Sequence, residues 1–115
     1  MVNKYNAKRI KIDGYLFDSK KEGQRYRDLR LLEKAGEISD LKVHPVYLLQ
    51  EKFIYKGETV RKIEYEADFE YKENGYVITE DIKGGKATQT ALFKIKAKMF
   101  KKKFGVYHNF RLVEE

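Results

Sequence analysis

Asp81 and Lys83 stand two residues apart in the stretch Tyr76-Val-Ile-Thr-Glu-Asp-Ile-Lys83, which reads as a β-strand. Alternation along a strand sends both side chains to one face and Glu80 to the other, so a structural role is expected for Glu80. Asp68 lies in the preceding alternating segment, across an Asn74-Gly75 pair of the kind that closes a two-residue hairpin. Pairing across that hairpin can set Asp68 beside Asp81. Two carboxylates converging there offer hard oxygen ligands to Mg²⁺ or Mn²⁺. Such an ion lowers the pKa of bound water and polarises a phosphodiester. Lys83 would orient a water or stabilise charge building on the phosphate.

A solvated hairpin with acid–base pairs is the plain alternative, and three surrounding features argue against it. Gly84-Gly85 leads into a helix rich in lysine, a place for phosphate to lie. Glu64, Glu66, Asp68 and Glu70 follow one another on a single strand face, so their like charges want a counter-ion. Glu22 precedes Tyr26 and Leu29 by four and seven residues, which turns it along the inward face of its helix, a costly place for an unpartnered carboxylate. It also has capping-box spacing from Ser19, and the two roles are compatible.

The elements that must position these groups follow from turn and period signals. Residues 9–17 read as a hairpin closed by Asp13-Gly14. Asp18 or Ser19 caps a helix with Tyr26, Leu29, Leu32 and Ala35 at helical spacing, ended by Gly36. Residues 41–55 read as one bent strand or two short ones, interrupted at His44-Pro45. A turn at Lys56-Gly57-Glu58 follows. Residues 60–72 alternate as a strand, with Ile63, Tyr65, Ala67, Phe69 and Tyr71 on one face. Thr88 is expected to cap a second helix over about 89–103, with Leu92, Ile95 and Met99 on its apolar face. A last strand covers about 106–113. The expected architecture is mixed α/β, with a largely antiparallel central meander and a single domain over 1–115.

Composition sets limits on function. With no cysteine among 115 residues, disulfides, thiolate catalysis and cysteine-ligated zinc are excluded. No apolar run approaches the roughly 20 residues that span a bilayer, and the first residues lack a signal-peptide pattern. The net charge of +7 makes a polyanion a plausible partner. Basic residues gather near the N-terminus, in Lys20 to Arg30 and in Lys94 to Lys103, framing the acidic middle. Lys20, Lys21, Arg25, Lys86, Lys94, Lys98 and Lys101 are therefore expected to meet DNA phosphates. Gly84-Gly85-Lys86 lacks the full pattern of a nucleotide-binding loop, so no nucleotide cofactor is expected. His44 and His108 lack metal-ligand spacing and read as structural or surface histidines.

Asp68, then Asp81-Ile82-Lys83, with Glu22 in a preceding helix, resembles the PD-(D/E)XK nuclease superfamily. More closely, the chain resembles a small phage-encoded endonuclease family labelled DUF1064. The resemblance runs over roughly residues 4–104, through Phe17-Asp18-Ser19-Lys20-Lys21-Glu22, Ala35-Gly36-Glu37-Ile38, Tyr65-Glu66-Ala67-Asp68-Phe69, Glu80-Asp81-Ile82-Lys83-Gly84 and the lysine-rich helix ending Met99-Phe100. One departure is Ala67, where the superfamily pattern has proline. The resemblance implies a restriction-endonuclease-like core, a central mixed sheet flanked by helices with the N-terminal hairpin as an accessory. It implies Mg²⁺- or Mn²⁺-dependent phosphodiester hydrolysis, with Asp68, Asp81 and Glu22 at the metal and Lys83 at the attacking water. Gln89 and Lys94 are further candidates, since a Gln or Lys of the second helix joins some such sites.

The expected function is metal-dependent cleavage of DNA, on branched or structured substrates of the Holliday-junction kind, in phage replication or recombination. The expected setting is the cytoplasm of a bacterial host. DNA is the expected partner, and a homodimer is an option. A non-catalytic nucleic-acid-binding protein using the same basic surfaces is the alternative.

Overall fold

The computed structural model describes residues 9–83 and 89–114. In chain order the elements are β1 (Ile10–Ile12), β2 (Tyr15–Phe17), α1 (Lys20–Lys34), β3 (Ser39–Val43), β4 (Val46–Gln50), β5 (Phe53–Tyr55), β6 (Glu58–Val60), β7 (Ile63–Glu66), β8 (Phe69–Glu73), β9 (Tyr76–Lys83), α2 (Ala91–Phe104) and β10 (His108–Glu114). The central sheet has the order β10-β9-β8-β3, and β1-β2, β4-β7 and β5-β6 form two-stranded ladders.

Local signals account for the first half. Asp13 and Gly14 take positive φ (52° and 85°), as do Asn74 and Gly75 (51° and 82°), the left-handed pair that matches hairpin twist. Ser19 caps α1, its hydroxyl accepting from Glu22 N–H at 3.2 Å. Gly36 at φ 79° closes the helix, with Glu37 N–H bonding Leu32 O at 2.9 Å and Gly36 N–H bonding Glu33 O at 3.1 Å. The N-terminal hairpin packs as part of the core. Phe17 is fully buried, and Ile10 and Ile12 pack against the core cluster. Gly23 of α1 makes this possible, because a Cβ there would stand 2.9 Å from Ile10 Cγ2.

The sheet carries a core on each side. One joins Phe17, Tyr26, Leu29 and Ile38 to Phe69, Tyr71, Ile78 and Ile82, and belongs to α1. The other joins Tyr47, Leu49, Tyr65 and Ala67 to Phe100 and belongs to α2. Strand β9 sits between them, Ile78 and Ile82 facing one core while Thr79 bonds Tyr47 of the other at 3.0 Å.

Two expectations are corrected. Residues 60–72 are two strands: β7 pairs with β4, and β8 pairs with β3 and β9. The break falls at Ala67-Asp68, where Ala67 N–H bonds Pro45 O (3.0 Å) and His44 N–H bonds Asp68 O (2.9 Å). Pro45 has no N–H and His44 sits at φ 54°, so the partner segment bends at the same level and both chains change sheets together. The segment 41–55 accordingly spreads over parts of β3, β4 and β5. Second, α2 begins at Ala91, capped by Thr90, whose Oγ1 accepts Phe93 N–H at 3.1 Å; Thr88 lies outside the described residues. Its buried face is Ala97 and Phe100 with Phe93, Met99 and Phe104, so of the expected face Met99 packs inward whereas Leu92 and Ile95 are 62% and 56% exposed. Both stripes have helical spacing, and the aromatic one covers more area against Tyr47, Tyr65 and Phe110. The expected last strand is β10, which starts at His108 and runs parallel to β9, so the sheet is mixed as expected and α2 is the crossover that a parallel pair requires.

Candidate functional site

The break between β7 and β8 puts Asp68 at the mouth of the sheet. In the β8–β9 register Phe69 lies opposite Glu80, so Asp68 comes level with Asp81. Asp68 N–H bonds Glu80 O at 3.2 Å, and its Oδ2 accepts Ile82 N–H at 2.7 Å. The two side chains share a hydrogen bond. Asp81 is buried, accepts the Tyr65 hydroxyl on Oδ2, and has Lys83 Nζ 3.7 Å from Oδ1. Lys83 in turn lies 4.4 Å over the Phe93 ring, at the start of α2. Thus Asp81 and Lys83 do share a face, as strand alternation requires.

Glu22 arrives from the first turn of α1. It caps that helix, accepting Asp18 N–H at 3.1 Å, and it is also drawn into the acidic cluster. The third partner is one that sequence reasoning set aside. Glu22, His44 and Asp68 offer ligand atoms that all lie within 4.8 Å of one another. The signal for His44 was its place beside the chain's one proline, at the break between two apolar runs. The left-handed turn there aims the ring at the cleft beside Phe17, with ring centroids 5.6 Å apart. His108, by contrast, is structural: its Nδ1 bonds Thr79 Oγ1 at 3.0 Å and its ring packs on Tyr47 and Phe100.

These residues, with Asp18, Glu66 and Leu16, line one cleft of about 400 Å³. Its electrostatics are those of crowded acids. Burial pushes the Asp68 carboxyl up to about 9, helped by the hydrogen bond with Asp81 and by the charges of Asp81 and Glu22, against the pull of Ile82 N–H. Burial also raises Glu22, as do the charges of Asp18 and Asp81, while Asp18 N–H and His44 act the other way. The Tyr65 phenol is held far above its ordinary value by burial and by the neighbouring Asp81. It is a fixed hydrogen-bond donor to that carboxylate.

Arg25 does not face outward as a DNA contact. Its Nε and NH2 each meet a Glu80 oxygen at 2.7 Å, and Tyr71 OH donates to the same carboxylate at 2.6 Å. Glu80 is fully buried, and a charge there demands a matched partner, so the guanidinium is taken up inside. Among the other basic candidates, Lys20, Lys21, Lys94, Lys98 and Lys101 are exposed. The last three run along one flank of α2, and Lys101 also lies 5.1 Å over the Phe110 ring. Gln89 is half-buried just before the Thr90 cap, and Lys86 lies outside the described residues.

A model of one family matches residues 2–113, a span that includes every acid of this cleft. The chain belongs to DUF1064. That family is described as a protein of unknown function. Neither a curated protein nor a solved structure matches the chain. No described helix is long and apolar enough to cross a membrane.

Proposed function

We propose that this chain is a divalent-metal-dependent endonuclease that hydrolyses phosphodiester bonds in DNA, acting on branched or otherwise structured substrates. One observation carries the reading: Glu22, Asp68 and Asp81 converge from α1, the β7–β8 break and β9 on a single cleft, with Lys83 beside them. The central sheet with a helix core on each side is consistent with a restriction-endonuclease-like core. On the resemblance described above, the setting would be a phage or prophage product in a bacterial cytoplasm, with a second copy of the chain as a further candidate partner.

The donor set suits the metal. Three carboxyl groups and an imidazole meet in a half-buried cleft, and two of the acids share a hydrogen bond, with Asp68 held at a pKa of about 9. A hard divalent cation replaces such a proton with a better counter-charge. Glu22, Asp68 and Asp81 would hold Mg²⁺ or Mn²⁺, with His44 as a fourth donor. Bound there, the ion would supply Lewis acidity to a phosphoryl oxygen and a lowered pKa to a water.

The chain's own groups do the positioning. Ile82 N–H and the Tyr65 hydroxyl fix one oxygen each of Asp68 and Asp81, leaving the other oxygens for the cleft. Lys83, held over Phe93, presents its ammonium beside Asp81, where it can orient a water or meet charge on the phosphate. Lys20, Lys21 and the Lys94, Lys98 and Lys101 row would take the flanking backbone. The test is a gel of labelled duplex, single-stranded, flap and four-way DNA with Mg²⁺, Mn²⁺ or EDTA. Metal-dependent cuts that EDTA abolishes are expected, and intact DNA under every condition would sink the proposal.

A further inference from the structure

The β5–β6 ribbon is held by its own pairing, Phe53 opposite Val60, Ile54 opposite Thr59 and Tyr55 opposite Glu58. Among the described residues it joins no third strand. Yet its three consecutive large apolar residues are open to solvent: Phe53 is 44%, Ile54 65% and Tyr55 58% exposed. A short two-stranded ribbon gains little from displaying such residues to water, so the side chains point to a partner.

Charge selects the partner. Residues 51–62 carry four cations, Lys52, Lys56, Arg61 and Lys62, against two anions, Glu51 and Glu58. Lys52 and Lys56 bracket the apolar triplet directly, and Arg61 follows the return strand. Lysine is depleted from protein–protein contacts and guards exposed strand edges against pairing. Beside exposed aromatics it suits a phosphate backbone with sugars and bases between. The ribbon also grows from the candidate site. Its root is the β4–β7 ladder, whose near end pairs Val46 with Glu66 at the cleft and whose far end pairs Gln50 with Ile63. At ~3.3 Å per residue the arm reaches at most roughly 30 Å from Val46 to Tyr55, within about one turn of duplex DNA.

We infer that the β5–β6 ribbon is a DNA-contacting arm, lying in a groove of the duplex up to about one turn from the cleft, with Lys52, Lys56 and Arg61 on phosphates and Phe53 and Tyr55, which share a strand face, on the groove floor. A two-stranded ribbon fits the major groove. The inference rests on the nuclease reading for its ligand, DNA.

The test measures binding of the full chain to a labelled 30-base-pair duplex and a four-way junction in EDTA, at several salt concentrations. Two variants are compared with wild type, F53T/Y55T, which keeps strand propensity, and K52A/K56A/R61A; circular dichroism and sedimentation follow folding and mass. F53T/Y55T is expected to weaken binding tenfold or more with an unchanged salt slope. The charge variant is expected to flatten the slope of log affinity on log salt by roughly 0.9 for each phosphate that is no longer neutralised. Wild-type affinity and slope in both folded variants would overturn this inference alone. So would a wild-type dimer that F53T/Y55T splits without loss of DNA affinity, since the arm's occupant would then be a second copy. A wild type that binds no DNA would overturn the inference and the nuclease reading together.

Discussion

Glu80 and Asp81 are consecutive, buried and acidic, and they have opposite surroundings. Glu80 faces α1 and is matched: Arg25 grips both its oxygens and Tyr71 adds a third bond. Arg111 NH1 bonds the Tyr71 hydroxyl at 2.8 Å and extends the network to Glu73. Asp81 faces the other core and shares its space with Asp68 and, further off, Glu22 and Asp18, against Lys83 at 3.7 Å. Burial of charge is therefore not in itself the mark of a site. The mark is negative charge left in excess on a cleft wall, as on the Asp81 side of β9. The Glu80 side staples α1 to the sheet and holds Glu22, one turn earlier in the helix, near Asp68.

The comparison can be broken at its active end first. Asp81→Asn is expected to lower single-turnover cleavage by ~10⁴-fold or more, about 5 kcal/mol of barrier, while duplex affinity in EDTA stays within a few-fold. Near-wild-type turnover would move the chemistry elsewhere. Glu80→Ala tests the matched end. Breaking a buried ion pair costs roughly 3–5 kcal/mol, and the low end, about 3, is expected because Arg25 keeps some access to water. Urea unfolding measures it; a loss below about 1 kcal/mol would mean that the network contributes little.

His44 sharpens the comparison, because it gives the cleft a nitrogen donor that the Glu80 side lacks. His44→Ala is expected to weaken Mn²⁺ binding about tenfold, ~1.4 kcal/mol, and Mg²⁺ binding less, since imidazole favours the softer ion. Competition calorimetry with the two ions reads this directly, and equal losses for both would remove His44 as a ligand.

Asp68 also gives the metal-free protein a pH-dependent stability. Asp68 has its folded pKa raised to about 9 from an unfolded value near 3.8. Folding then favours the protonated form, so its contribution is intact below about pH 4 and is lost as pH rises towards 9. Without metal, the melting temperature of wild type relative to Asp68→Asn should fall over that window. Saturating Mn²⁺ should flatten the difference. A metal-free difference that stays constant from pH 5 to 9 would show that Asp68 carries no such proton.

Much of this arrangement was legible in local chemistry. Asp13-Gly14 and Asn74-Gly75 dictated their turns because few other residues tolerate positive φ, and Ser19 and Gly36 bounded α1 for the same kind of reason. The period of a strand alone put Asp81 with Lys83 and Glu80 opposite. What sequence could not decide was every choice between two equally periodic or equally charged options. Leu92-Ile95-Met99 and Phe93-Ala97-Phe100-Phe104 both make a helix stripe, and only the aromatic wall of Tyr47, Tyr65 and Phe110 selected the second, keeping Met99 at its margin and leaving Leu92 and Ile95 outside. Arg25 looks like its basic neighbours until β9 brings Glu80 to it across 55 residues of chain. The switch of sheets at Ala67-Asp68 needed the simultaneous bend at His44-Pro45, which joined a histidine to two acids distant from it in sequence. Local propensity acts through each residue's own backbone, whereas these outcomes depend on which surfaces meet, and that is settled by packing.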